Sequence, residues 1–387
     1  MDVPQGSFEL LRHPTRPDDQ LRAWDAADEL LLSRLAGRDP GVDAEWQPVG
    51  PDGTTVVLND AFGALGVGLA QRTPTSVVDS YCAARAVERN LVRNGLDPEA
   101  VRVVSPSAEL SGPIALLVVR PTRSLVLLEH LLRLVRPQLS EDTVIVGAAM
   151  TKHLHTSTLE VFERLLGPTT TSRAHRRARV IESRFDPTLE LGPWEWPRTF
   201  TLEPGPIHVA TMPGVFAGEK LDHGTSLLLE HLPETDGPTR IVDLGCGNGV
   251  LGTIAALENR DASVTFVDDS AMAVAATRAT VASAGLDDAR VVHGNALSDW
   301  PADEAPLAPG SVDLVLNNPP FHDNNAVGDA IAWQMFSDGY DALAPGGEFW
   351  CVGNRHLAYH AKLKRRFGNC EVVASSPKFV VLRAVRR

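Results

Sequence analysis

Two halves of this 387-residue chain repeat one another in the same order, and that duplication limits the folds open to it. Residues 77–86 (VVDSYCAARA) match 266–275 (FVDDSAMAVA), and 94–110 (NGLDPEAVRVVSPSAEL) match 284–297 (AGLDDARVVHGNAL). Residues 152–166 (KHLHTSTLEVFERLL) echo 355–367 (RHLAYHAKLKRRF). Within each half, short apolar strands alternate with helical segments, the pattern of an α/β unit on a largely parallel sheet. The expected architecture is a tandem pair of Rossmann-like α/β domains, over 1–184 and 205–387. Residues 185–204 between them include FDPTLELGPWEWPR, rich in Pro and Trp and without a period. They read as a linker whose tryptophans pack against a domain, since a bare flexible linker would not carry them.

The two copies differ where chemistry would sit. In the second, residues 241–252 read IVDLGCGNGVLG: a β-rich run meets Gly245, Gly247 and Gly249 at alternate positions, then a helical pattern begins. Glycines there let the backbone turn tightly and approach a ligand without a Cβ clash. About twenty residues on, a second strand ends at Asp268, a spacing at which a carboxylate can accept both hydroxyls of a ribose. No GKS or GKT follows, so a phosphate-binding P-loop is excluded. With Asp243 included, the D-x-G-x-G-x-G run is the pattern of class I S-adenosylmethionine (SAM) methyltransferases, and SAM is the expected cofactor. Asn295, after the third strand, is placed to bond the adenine amino group. In the cap 213–229 (PGVFAGEKLDHGTSLLL), Asp222 and Thr225 are candidates for the methionine end, with a helix N-cap as the competing reading. In the first copy, aligned on VVLNDAFGAL, Asp60, Phe62 and Ala64 fall where the three glycines would be. The first domain is therefore expected to keep the fold and lose the cofactor.

A fourth strand, 312–316, runs into Asn318, Pro319, Pro320 and Phe321. Two prolines cannot continue a ladder, so a stiff turn forms at the carboxyl edge of the sheet, where open α/β sheets bind ligands. An exocyclic or amide nitrogen is a poor nucleophile because its lone pair is delocalised. Asn318 Oδ1 and the Pro319 carbonyl can accept its two N–H bonds and bias it toward a pyramidal geometry. Phe321 offers a face for stacking a planar base. Because a sulfonium leaving group is already activated, orientation can supply much of the rate.

These motifs, with the FVDDS strand end, the PGVF…LD cap and the C-terminal FGNCEVVASSPKFVVLRAV, resemble the bacterial ribosomal RNA guanine-N2 methyltransferases over nearly the whole chain. The segments RAWDAADELLL, FERLLGPTTTS and FGNC…KFVVLRAV look closer to the large-subunit (23S) enzyme than to its small-subunit (16S) counterpart. The resemblance implies a SAM loop of Asp243, Gly245, Gly247 and Gly249. Asp268 would hold the ribose and Asn295 the adenine, while Asn318, Pro319, Pro320 and Phe321 would grip the guanine. The degenerate first domain would bind or position the RNA. Similar loops serve glutamine-N5 methylation of protein and adenine-N6 methylation of DNA. The duplicated half and Phe321 favour guanine in RNA over both, and the intact second loop argues against a non-catalytic RNA-binding protein.

Composition adds exclusions. The net charge of −13 argues against wholesale coating of nucleic acid, though basic residues cluster in RAHRRAR at 173–179, KLKRR at 362–366 and RAVRR at 383–387. Arg120 and Arg123 stand where the first copy would have its NPPF, as candidate phosphate contacts or salt-bridge partners. The four cysteines form no CxxC pair, so neither a disulfide framework nor a metal site is expected. Without a signal peptide or membrane-length apolar run, a cytoplasmic protein with no obligate protein partner is expected.

Overall fold

The computed structural model describes residues 1–15, 21–38, 49–50, 52–202, 207–216, 220–286, 288–320 and 326–387. Its contacts divide the chain into two units, Met1–Trp194 and Glu195–Arg387.

The first unit starts with a ribbon, β1 (Asp2–Val3) and β2 (Gly6–Ser7), and helix α1 (Ala26–Leu35). There follow β3 (Thr54–Leu58), α2 (Ala64–Gly68), β4 (Thr75–Val77), α3 (Tyr81–Arg93), β5 (Arg102–Val104) and β6 (Ile114–Val119). α4 (Leu125–Val135), β7 (Val144–Met150), α5 (Thr156–Leu165), β8 (Thr169–Thr171) and β9 (Ala178–Ser183) complete it. The sheet order is β5-β4-β3-β6-β7-β9-β8, with β9 antiparallel to its neighbours.

The second unit starts with the ribbon β10 (Arg198–Leu202) and β11 (Ile207–Thr211), then α6 (His223–Leu229). It continues with β12 (Arg240–Leu244), α7 (Val250–Glu258), β13 (Ser263–Asp268), α8 (Ala271–Ser283), β14 (Arg290–His293) and β15 (Val312–Asn317). α9 (Ala326–Ala342), β16 (Leu343–Asn354), α10 (Tyr359–Phe367), β17 (Glu371–Ser375) and β18 (Phe379–Val385) close it. Its sheet order, β14-β13-β12-β15-β16-β18-β17, is that of the first unit strand for strand. Both are Rossmann-like. The central strands are buried on both faces, so Ile241–Leu244 and Leu314–Leu316 read as unbroken apolar runs apart from Asp243. Phe336 of α9 is fully buried, edge-on to Phe349 and Tyr359 at 5.5 and 5.3 Å between centroids.

Register makes the copies comparable residue by residue. Leu58 pairs with Val77 and Val119, as Leu244 pairs with Val267 and Asn317. Ser80 and Ser270 cap the next helices identically, each accepting at 3.1 Å from the N–H three residues on. The glycine positions 245, 247 and 249 therefore correspond to Asn59, Ala61 and Gly63, which corrects the expected match to Asp60, Phe62 and Ala64. β3 ends one residue earlier than the sequence alignment places it. Asn59 takes the left-handed φ of 63° and Gly63 one of 82°, against 71° and 75° at Gly245 and Gly249. By the same register Val78 stands for Asp268, Ser107 for Asn295 and Arg120 for Asn318. The first copy thus keeps the turn and loses the carboxylate of Asp268 and the amides of Asn295 and Asn318.

Tryptophan 194 lies against the first unit, its ring stacked on His130 and under Arg133. Among the described residues, no helix is long and apolar enough to cross a membrane, and no cluster of three or more His, Cys, Asp or Glu could hold a metal.

Candidate active site at the carboxyl edge of the second sheet

Strand β12 delivers Asp243 into the core and then turns at the glycine loop. Asp243 is fully buried. Its Oδ2 accepts from Gly252 N at 2.8 Å, and its Oδ1 has no partner. Burial pushes its pKa up to about 8, opposed by the Gly252 N–H and reinforced by the charge of Asp268. Burial thus favours its protonated form, and it braces the loop through Gly252 N. Gly245, Gly247 and Gly249 all have positive φ (71°, 58° and 75°). A Cβ on Gly245 would meet Met335 at 2.9 Å and one on Gly249 would meet Thr277 at 2.8 Å, whereas one on Gly247 would enter open space. The middle glycine therefore faces room for a ligand, while its neighbours are closed off by packing.

Beyond the loop, Asp268 ends β13 and accepts from Gly247 N and Ser270 N, both at 2.9 Å. The carboxylate is thus pinned beside the open space. Asn295 follows β14 and is 8% exposed; its Oδ1 accepts from Gln334 Nε2 at 3.1 Å. Asp222 caps α6 through one carboxylate oxygen, Oδ1, which accepts from Gly224 N at 2.8 Å and Thr225 N at 3.2 Å. Thr225 is turned toward the acceptor side: its Oγ1 accepts from Asn318 Nδ2 at 2.9 Å.

β15 ends at Asn317, whose Nδ2 donates to Leu244 O at 2.7 Å and ties the two central strand ends together. Asn318 follows. Its Oδ1 is buried and has no hydrogen-bond partner. An orphaned acceptor of this kind is costly unless a ligand N–H meets it. Pro319 is buried and Pro320 exposed. Phe321 lies outside the described residues. The structure therefore brings Asp243, the three glycines and Asp268 to one sheet edge, with Asn295 next along it. Asn318 and Thr225 stand beside the loop at the end of the neighbouring strand.

Several contributors carry no sequence signal beyond helical periodicity. Thr277 of α8 donates to Gly247 O at 3.1 Å and underpins the loop. Asn248 in the loop is 5% exposed, with an unpartnered Nδ2. Gln334 and Met335 come from α9, whose place over the loop is a tertiary fact. Together the open glycine, the fixed carboxylate and the unpartnered amide of Asn248 fit a nucleoside with a polar tail, so the residues present suit SAM.

In the first copy the corresponding edge is filled. Arg120 donates to Asp25 Oδ2 at 2.9 Å and to Ala148 O at 3.0 Å, and its Nε lies 3.2 Å from Asp28. Of the two roles expected for it, the salt bridge is the one it takes. Asp60 accepts from Gly63 N and Gly66 N at 3.0 and 2.7 Å, closing the turn on itself.

Residues 1–187 match the family model for the RLMG N-terminal domain, and 206–383 the model for the methyltransferase small domain. The chain is 48% identical to the ribosomal RNA large subunit methyltransferase G of Streptomyces griseus, covering 99% of this chain and 98% of that protein. It is 41% identical to the protein of the same name in Stutzerimonas stutzeri, covering 100% and 99%. Among solved structures, the fold is shared with a Thermus thermophilus 16S rRNA N2 G1207 methyltransferase in complex with AdoMet and guanosine. The TM-score is 0.75, with 23% identity and 98% of each chain covered.

Proposed function

The chain belongs to the ribosomal RNA large subunit methyltransferase G family, and from that premise we propose that it methylates the exocyclic N2 amino group of one guanine in 23S ribosomal RNA, with SAM as methyl donor. The observation that carries this reading is the buried, unpartnered Oδ1 of Asn318 at the end of β15, next to a glycine loop with room at Gly247.

Asp268 and Asn295 hold the nucleoside part of SAM, and the loop from Gly245 to Gly249 carries the rest. When bound, SAM supplies a methyl group already activated on a sulfonium. The chain itself needs to orient the acceptor. Asn318 Oδ1 accepts one N–H of the guanine amine and draws the nitrogen lone pair out of conjugation. Pro319 and Pro320 keep that oxygen fixed, and Phe321 supplies the base-stacking face. The nitrogen gains a methyl group and loses a proton to water. An amide is no general base, and none is required, because a methylated anilinium-like nitrogen is strongly acidic.

The first unit is proposed to bind the RNA strand. Its β8–β9 turn exposes Arg173 and Arg177, and Arg179 is exposed at the start of β9. Burial and the neighbouring cations Lys152 and Arg123 lower the pKa of His153, so cationic groups share this part of the unit. Arginine forks suit phosphate oxygens. The large subunit is favoured over the 16S reading because identity to the large-subunit proteins is 40–48%, against 23% to the 16S enzyme. A ribosomal substrate places the enzyme in the cytoplasm.

The test is transfer of labelled methyl from SAM to 23S RNA, 16S RNA, release factor and plasmid DNA, with Asn318→Ala as control. Label in 23S guanine is expected, and the variant is expected to lose roughly 100-fold or more, the scale of losing one transition-state hydrogen-bonding group, while keeping its SAM affinity. Label in release factor or DNA alone would overturn the reading.

A further inference from the structure

Thr225 stands in the first turn of α6, three residues after the capping Asp222, and is 5% exposed. Its Oγ1 accepts from Asn318 Nδ2 at 2.9 Å. A side-chain amide has one donor end and one acceptor end. With the donor end held by Thr225, what Asn318 leaves free at the strand terminus is a buried acceptor. Such a site pairs with an N–H and repels a carbonyl or ether oxygen.

The first unit builds the same contact from other atoms. α1 packs on β7, β9 and α2, as α6 packs on β16, β18 and α7. Asp25 caps α1 by accepting from Ala27 N at 2.8 Å, as Asp222 accepts from Gly224 N at 2.8 Å. Three residues after each cap stand Asp28 and Thr225. Asp28 meets Arg120 at 3.2 Å, and Arg120 holds the register of Asn318. The fold itself therefore brings this helix turn to the end of the fourth strand in both copies. In the first copy the pair is a guanidinium and a carboxylate, and Arg120 has no acceptor atom to offer. In the second it is neutral, and one acceptor remains.

We infer that Thr225 is a positioning residue that holds the Asn318 amide by its Nδ2 and thereby keeps Oδ1 free to accept an N–H of the group to be methylated. The inference rests on the reading of Asn318 as the group that receives the target amine. Without the Thr225 hydroxyl, the amide of Asn318 can turn its donor end toward the substrate and oppose the nitrogen lone pair.

The test measures kcat, KM for RNA and SAM Kd for Thr225→Val, Thr225→Ser, Asn318→Ala and Thr225→Val/Asn318→Ala. Valine has the shape of threonine and lacks the hydroxyl. The expected fall in kcat for Thr225→Val is between roughly 5- and 100-fold, the range for leaving one buried polar partner unsatisfied, with SAM Kd unchanged. Thr225→Ser is expected to recover most of that loss. In the double variant, the valine is expected to cost nothing beyond Asn318→Ala, because the two act as one unit. Unchanged kcat in Thr225→Val, or equal losses in Val and Ser, would overturn the inference while leaving the role of Asn318 intact. If Asn318→Ala itself methylates RNA at the wild-type rate, the functional reading fails, and this inference with it.

Discussion

Gly247→Ala separates a loop that merely turns from a loop that carries a ligand. Gly247 has φ 58°, and a Cβ there would meet nothing within 4 Å. The variant should therefore fold. Its intrinsic cost is the left-handed backbone, ~1–2 kcal/mol for an L side chain. For a unit of about this size that lowers Tm by roughly 2–8 °C. Gly368 gives a matched control: it too has positive φ, 76°, and open space, but it ends α10 rather than lining the loop. Gly368→Ala should lose about the same Tm. The two part on SAM. Because Gly247 N is tied to Asp268 Oδ2 at 2.9 Å, the loop cannot back away from an added methyl without releasing the carboxylate proposed for the ribose. Titration calorimetry should show one SAM site per chain in the wild type and in Gly368→Ala. In Gly247→Ala the affinity should fall by about tenfold or more, equivalent to ~1.4 kcal/mol. Equal affinity in the two variants would refute the assignment of the loop, and two sites per chain would refute the loss of the first one.

Two further outcomes are expected. The pKa of Asp243, about 8 against the ordinary 3.8, means that between those pH values the native protein keeps a proton the unfolded chain has released. Stability should therefore fall as pH rises across that window and level off above it, and Asp243→Asn should flatten the slope in Tm scans. Arg120→Ala should destabilise the first unit by ~3–5 kcal/mol in denaturant titrations, since it leaves buried Asp28 unpaired. The loss should shrink at low pH, because burial already holds the pKa of Asp28 at about 6 and protonation relieves the stranded charge; a pH-independent loss would contradict that account.

Much of the site was legible in the chain because its chemistry is local. Three alternate glycines after an apolar run specify positive φ and close approach whatever surrounds them. Asp268 and Asn295 are placed by strand ends, and two consecutive prolines end a ladder by covalent geometry. The duplication was legible for a similar reason: repeated apolar periods imply repeated strands and helices. The register within the first copy was not. Whether Asn59 or Asp60 takes the first glycine position depends on where β3 stops, and that is set by pairing with β4 and β6 rather than by the segment itself.

What the sequence by itself determined is the fold of each copy and the asymmetry between them, because periodicity and glycine placement are properties of short segments. Only the tertiary structure decided what the polar side chains do. Asp222 caps α6 with Oδ1. Thr225 meets Asn318 from 93 residues away. Arg120 could meet a phosphate or a carboxylate, and it lies half-buried against the carboxylates of Asp25 and Asp28. Hydrogen-bond partners distant along the chain are assigned by packing, since direction and burial exist only once the sheet and its covering helices have come together.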